Sequence, residues 1–284
     1  MPSHPSPSSS VQRARSELAA RLRDLRLDAG LTARALSRAA GWHEAKTSRI
    51  ENAKQPPSDA DITAWCRVCE MPGEAPDLIA ANRAADSAYV SWRRLHRTGM
   101  ARDQESRVPL YERTRHHKVY CSTVVPGFFQ TPAYAHALMS SITRFQGTPD
   151  DVDVAVEARM ERNHVLQRGG RRFAAIIEES VLRARHGDAE AMAAQLGHLL
   201  AMTGLPSVWL GVIPFTAADR PMWTLEAFNI FDDQRVEVEL LSAQVTVTAP
   251  SEVAAYVRAF SGLAGMAVSG SAARSLITAA IDAL

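Results

Sequence analysis

Leu18, Leu22 and Leu25 recur at helical spacing with Arg21, Arg23 and Arg26 between them, and Gly30 closes the run, which predicts a first helix. Thr32 is a natural cap for a second helix over 33–40, with Leu36 and Ala39 facing inward. Gly41 breaks that helix, and Trp42-His43 lead into a third over 43–52, whose inward residues are Thr47 and Ile50. Gln55-Pro56-Pro57 stops the run. Ser58 or Asp59 then caps a fourth helix carrying Ile62, Trp65 and Val68, and a helix of mixed polarity over 75–95 leads into the second half.

From about Leu110 the period changes. Val119, Cys121, Thr123 and Val125 alternate with Tyr120, Ser122 and Val124, a strand pattern, and Val125-Pro126-Gly127-Phe128 fits a type II turn. Helices are predicted over 132–141, 150–168 and 189–203, the last with Met192, Leu196, Leu199 and Leu200 on one face. Apolar strands are predicted over 173–177 and 208–213. Three further strands, 225–231, 235–241 and 244–248, read as an antiparallel meander, and helices over 252–266 and 272–283 close the chain. The pattern therefore predicts an α+β protein: an all-α N-terminal domain and a C-terminal mixed α/β domain built on a largely antiparallel sheet of five or six strands. The divisions it sets are a disordered tail at 1–14, a helical domain at 15–75, a linker helix at 76–109 and a C-terminal domain at 110–284.

Composition adds little except through its distribution. The stretch MPSHPSPSSS is too rich in Pro and Ser to bury anything and lacks the apolar run of a secretory signal. No run approaches the ~18 apolar residues of a membrane helix. Cys66, Cys69 and Cys121 are an odd number, which points to free thiols in a reducing compartment and a cytoplasmic location. The net charge is only +1, but residues 1–58 carry ten Lys and Arg against five Asp and Glu, and the rest carries 22 against 26. A +5 head on a −4 body fits a basic nucleic-acid-reading domain on a mildly acidic partner domain.

The informative stretch is LTARALSRAAGWHEAKTSRIEN, residues 31–52. Two short helices joined by a Gly-containing turn can set the second into a DNA major groove while the first braces across the backbone. Leu36, Thr47 and Ile50 supply the contact between them. The third helix then offers His43, Glu44, Ala45, Lys46, Ser48, Arg49 and Asn52 to base edges and phosphates, with Thr32, Arg34, Arg38 and Lys54 beside them for the backbone. On these residues the segment 18–70 resembles the Cro/repressor-like (XRE) helix-turn-helix domains, and its Gly41-Trp42-x-x-x-Lys46-x-Ser48-Arg49-Ile50-Glu51-Asn52 string resembles a subgroup from GC-rich filamentous bacteria. Val125-Pro126-Gly127-Phe128-Phe129-Gln130-Thr131-Pro132 is similar to a signature of the C-terminal domain of unknown function found in actinobacterial antitoxin-like regulators. So are Glu179-x-x-Leu182-Arg183, Gln195-Leu196 with Leu199, and Val212-Ile213-Pro214. The resemblance implies a lambda-repressor-like head, control of transcription, and a small companion protein encoded nearby. It departs from the pattern at Ala33 and Glu44, where many relatives carry Gln; a carboxylate at 44 can accept from cytosine N4 but cannot pair adenine as Gln does.

Other constellations carry less. Cys66-x-x-Cys69 lacks two further zinc ligands, and its place on a helix predicts core packing. His116-His117 point to opposite faces of an extended chain and read as a solvated turn before the strand. Glu178-Glu179 diverge likewise, and Glu179 is expected to pair with Arg159, Arg162 or Arg183. Trp209, Trp223 and Phe228 are either core or the lining of an effector cavity. No phosphate-binding Gly loop or nucleophile elbow is present. The sequence thus predicts a dimeric, sequence-specific DNA-binding regulator whose partners are operator DNA, a second copy and the companion protein, with no cofactor, metal or catalytic set and no membrane association. Two other readings stay open at this point: an antitoxin-like module that sequesters the companion protein, and an enzymatic C-terminal domain.

Overall fold

A computed structural model describes residues 7–84, 89–167, 169–218 and 220–284. The chain forms two compact units, Met1–Ala88 with Thr246–Glu252, and Tyr89–Val245 with Val253–Leu284.

The first unit is all helical: α1 (Pro7–Asp28), α2 (Ala33–Ala40), α3 (Glu44–Glu51), α4 (Asp59–Val68) and α5 (Ala75–Ala84). The helix α1 begins inside the stretch whose composition suggested a tail over 1–14, with Pro7 at a first-turn position that needs no N–H; residues 1–6 of that stretch lie outside the described residues. Leu18, Leu22 and Leu25 of α1 meet Leu36, Ile50, Ile62, Trp65, Cys66, Cys69, Ala75 and Leu78 in one apolar core. The Trp65 indole N–H ends on the Leu22 carbonyl at 2.9 Å, so the largest side chain of this core is buried with its polar atom satisfied.

The second unit holds β1 (Tyr89–Ser91), α6 (Trp92–Leu95), α7 (Ala101–Arg113), β2 (His116–Cys121), α8 (Pro132–Gln146), α9 (Val152–Asn163), β3 (Arg172–Glu178), α10 (Glu179–Arg183), α11 (Ala189–Met202), β4 (Val208–Ile213), β5 (Phe228–Phe231), β6 (Arg235–Glu239) and β7 (Ala243–Val247) as far as Val245. Most of α12 (Pro250–Met266) and all of α13 (Gly270–Ile281) complete it. A linker helix over 76–109 does not form. That segment holds the end of α5, the strand β1 paired antiparallel to β7, α6 and the start of α7. Sheet pairing overrides the weak helical pattern there, and Asp151 caps α7 by accepting from the Met100 and Ala101 amides at 2.7 and 2.9 Å.

The seven strands form one sheet in the order β1-β7-β6-β5-β2-β3-β4. The expected largely antiparallel sheet of five or six strands is corrected here: β2 pairs β3 and β3 pairs β4 in parallel, while β5 pairs both β2 and β6 antiparallel. The physical reason is connection length. A parallel pair needs a crossover of a dozen residues or more, and α8 with α9, then α11, supply two. Strand β2 ends at Cys121, and residues 122–125 bend away from the sheet. The expected type II turn is also absent, since Gly127 has no positive φ; residues 127–129 form a 3-10 turn in which the Phe129 N–H donates to the Pro126 carbonyl at 2.8 Å. The main core packs Val119, Cys121, Phe173, Ala175, Ile177, Leu210 and Val212 of the sheet against Met192, Leu196 and Leu199 of α11 and Ala273, Ile277 and Ala280 of α13.

Candidate nucleic-acid interface

The pair α2–α3 is held by small polar groups as much as by apolar ones. The Leu36 and Ile50 side chains are buried, and between them the Ser37 and Thr47 hydroxyls lie 2.6 Å apart. The Ser37 hydroxyl also reaches the Ala33 carbonyl at 2.7 Å, and the Trp42 indole N–H donates to Thr47 Oγ1 at 2.9 Å. These bonds tie the last turn of α2, the turn and the middle of α3 into one piece. Ser37 therefore takes the inward place expected of Ala39, which is exposed. Gly41, with φ 77°, turns the chain between the two helices and caps α2, a conformation that a Cβ resists.

Two charged bonds fix α3 from its other sides. Arg26 of α1 forms a fork with Glu51, Nε to Oε1 at 2.6 Å and Nη2 to Oε2 at 3.0 Å, and Nη1 donates to the Leu31 carbonyl at 2.6 Å. Both side chains of that pair are nearly buried, and the guanidinium is held further toward its charged form, first by the hydrogen bond with Glu51. Lys46 donates to Asp61 at 2.5 Å, with its ammonium 4.8 Å from the centre of a Trp42 ring. Burial works to raise the Asp61 carboxyl, but the bonds from Lys46 and Ser58 outweigh it and hold the group below its usual value. Asp61 also completes a capping box with Ser58 at the start of α4. Lys46 is thus a half-exposed strut between α3 and α4, which corrects its placement on the freely exposed face of α3.

The other candidate residues lie on the surface. Thr32 caps α2, its Oγ1 accepting from the Ala35 amide at 3.1 Å, and His43 caps α3, its Nδ1 accepting from the Ala45 amide at 3.2 Å. Glu44, Ala45, Ser48, Arg49 and Asn52 are exposed along α3 and its end, and Arg34, Arg38 and Lys54 are exposed beside them. Arg49 is steadied by a 2.8 Å bond from Nε to Gln55 Oε1 that does not use its terminal nitrogens. Asn52 donates to the Ser48 carbonyl at 2.7 Å, so its amide closes the helix end and its carbonyl oxygen remains for a ligand. The face carries cations at its rim and short polar groups along α3, a set that can engage phosphates and base edges. Sequence reasoning missed Arg26, Glu51 and Asp61. The signal was there for Arg26, which sits four residues after Leu22 on the inward stripe of α1.

The remaining constellations resolve as follows. Cys66 and Cys69 are buried and free, and burial pushes the Cys66 thiol up to about 11. Among the described residues no group of three or more His, Cys, Asp and Glu could hold a metal ion, and no helix is long and apolar enough to cross a membrane. His117 is not in a solvated turn. It lies in β2, packed between the Tyr111, Phe128, Phe173 and Phe231 rings. Glu179 pairs with Arg183 at 3.4 Å and accepts from the Phe215 amide at 2.9 Å, while Glu178 accepts from Tyr120 at 2.8 Å and from Arg220 at 2.6 and 3.1 Å. Phe228 is core, whereas Trp223 is 70% exposed and Trp209 37%, so the three do not enclose an effector cavity.

A buried scaffold that holds a short polar helix face outward defines the helix-turn-helix class, the DNA-binding head of transcription regulators, and residues 17–78 match the helix-turn-helix domain model. Residues 108–279 match the model of a domain of unknown function, DUF5753, and the chain belongs to that family. No curated protein and no solved structure matches the chain.

Proposed function

We propose that this protein is a cytoplasmic transcription regulator of the Cro/repressor-like type, which reads an operator with α3 as a homodimer and carries out no catalysis. The observation that carries this reading is the contrast between the two sides of α3. Thr47, Ile50 and Glu51 are locked inward, while Glu44, Ala45, Ser48, Arg49 and Asn52 stand exposed beside Arg34, Arg38 and Lys54. A helix fixed on rigid supports presents its polar face with little ordering required on binding, which is what discrimination among base pairs needs. One such head offers a small contact area, and a dimer gains by holding two half-sites about one DNA turn (~34 Å) apart. The second unit is assigned dimerisation and the sensing of an effector or docking of a companion protein.

The test starts from the full chain and a random duplex pool, from which bound DNA is selected and sequenced. The expected product is a two-fold symmetric site. Its affinity should fall with salt at a slope of log K on log[salt] of roughly −4 to −8 for a dimer. Arg49→Ala should lose about 1–3 kcal/mol of operator affinity with an unchanged urea unfolding curve. Selection of no consensus, with a flat salt dependence, would remove DNA from the reading; capture of a small protein without DNA would put the antitoxin-like module in its place.

A further inference from the structure

Arg159 and Arg162 sit three residues apart on α9 and bring their guanidinium groups to one place. Arg159 Nε and Arg162 Nη1 each donate at 3.1 Å to the same atom, Gln104 Oε1, and Arg159 Nη1 donates to Gln130 Oε1. Arg162 is only 5% exposed, and its Cζ lies 4.6 Å from the centre of the Tyr111 ring. Its Nε is buried with no hydrogen-bond partner among the described residues. The side-chain acceptors of these two cations, Gln104 for both and Gln130 for Arg159, are neutral amides. Two of the nearby carboxylates are engaged elsewhere: Arg107 holds Asp103 at 3.0 Å and Glu237 at 3.4 Å, and Arg235 adds a 2.7 Å bond to Glu237. Glu239, an exposed carboxylate, acts on both cations only from beyond ion-pair distance. Among the described residues no carboxylate lies within ion-pair distance of Arg159 or Arg162.

Two cations held side by side on neutral acceptors are unfavourable unless an anion joins them. Burial, and then repulsion from Arg162, push the Arg159 guanidinium down to about 9, and burial lowers Arg162 as well. Gly127 keeps a side chain away from the two guanidinium groups. A Cβ there would stand 3.6 Å from Arg162 Nη2 and 3.8 Å from Arg159 Cζ, in contact with both groups, and Gly127 itself is half-exposed between buried neighbours. Asn163 donates to the Gly127 carbonyl at 3.3 Å.

We propose that Arg159 and Arg162, beside the side-chain-free position at Gly127, form a binding site for the phosphate group of a small metabolite in the second unit. Two guanidinium groups match a doubly charged oxyanion in both charge and geometry, whereas a single carboxylate leaves one of them unneutralised. The site lies in a different unit from α3 and stands whether or not the head reads DNA, so its test uses no DNA.

Inorganic phosphate is titrated calorimetrically into the full chain, with sulfate and acetate as separate arms, all at one ionic strength set with chloride. Wild type should give a saturable heat with phosphate, and its melting temperature should rise with phosphate over matched chloride. Gly127→Ala sets a methyl at ordinary contact distance from both guanidinium groups and has no positive φ to strain, so it should fold as wild type does in chloride and, by standing between the cations and the anion, lose the phosphate heat. Arg159→Gln should lose it too. Absence of saturable binding in wild type, equal binding by Gly127→Ala, or acetate binding as tightly as phosphate would overturn the assignment.

Discussion

His117 shows how much one side chain depends on its surroundings. It shares the parity of Val119 and Cys121 and so faces the core of the central strand β2, closed in by four aromatic rings. Burial holds its imidazole neutral, with its pKa lowered to about 3. Below pH 6.5 the unfolded chain gains a proton there that the folded chain refuses, so folding loses stability as pH falls from about 6.5 to about 3. At pH 5 this amounts to something on the order of 2 kcal/mol. His117→Phe, which retains a flat ring in the cluster, should therefore stabilise the protein more at pH 5 than at pH 8 in urea unfolding. An equal effect at both values would mean that the ring titrates in the folded state. His96 has the opposite sign. Burial tends to lower its pKa, but bonds with Asp103 and Gln146 raise it overall, so its contribution is complete below 6.5 and is lost as pH rises through the folded value.

At the scale of elements, α3 is eight residues long, too short to persist on its own propensity. It exists because Arg26–Glu51, Lys46–Asp61 and the Ser37–Thr47–Trp42 network join it to α1, α4 and α2. These supports differ in weight. The Arg26–Glu51 fork is nearly buried, so Glu51→Ala leaves a guanidinium without its counter-charge and should cost about 3–5 kcal/mol in urea unfolding. The Lys46 side chain is partly in water, and Lys46→Gln should cost no more than about 1 kcal/mol. Similar losses in the two variants would show that the buried fork is not the main brace of this helix. The helices and their caps were legible from Leu, Gly and Ser spacing. The braces were not, because an ion pair between residues 26 and 51 is set by where two helices cross.

At the scale of the whole molecule, the first unit has its own apolar core, from Leu18 to Leu78. A fragment of residues 1–84 should fold cooperatively by circular dichroism and bind the selected operator at least about tenfold more weakly than the full chain, since it would hold one half-site without its twin. Equal affinity would relieve the second unit of the dimerising role. In the second unit the segments 173–177 and 208–213 were recognisable as strands from apolar runs, and the order of helices between them carried the crossovers. Strand direction still had to be inferred from those connections, because alternation along a strand is the same for either neighbour.

Local chemistry determined a great deal here. Period, capping residues and glycine breaks set the helices of the head and the strands of the sheet, and the polar string on α3 marked the exposed face of that helix. Those features depend on neighbours within a few residues, where side-chain spacing and backbone preference act directly. Tertiary structure alone decided that Lys46 points into a strut, that His117 is enclosed, that three of the strands run parallel, and that Arg159 and Arg162 share one amide oxygen. Each of these rests on groups distant in sequence meeting in space. Burial and Coulomb interaction are fixed only by that meeting, since neither has a value until the surrounding chain has excluded the water.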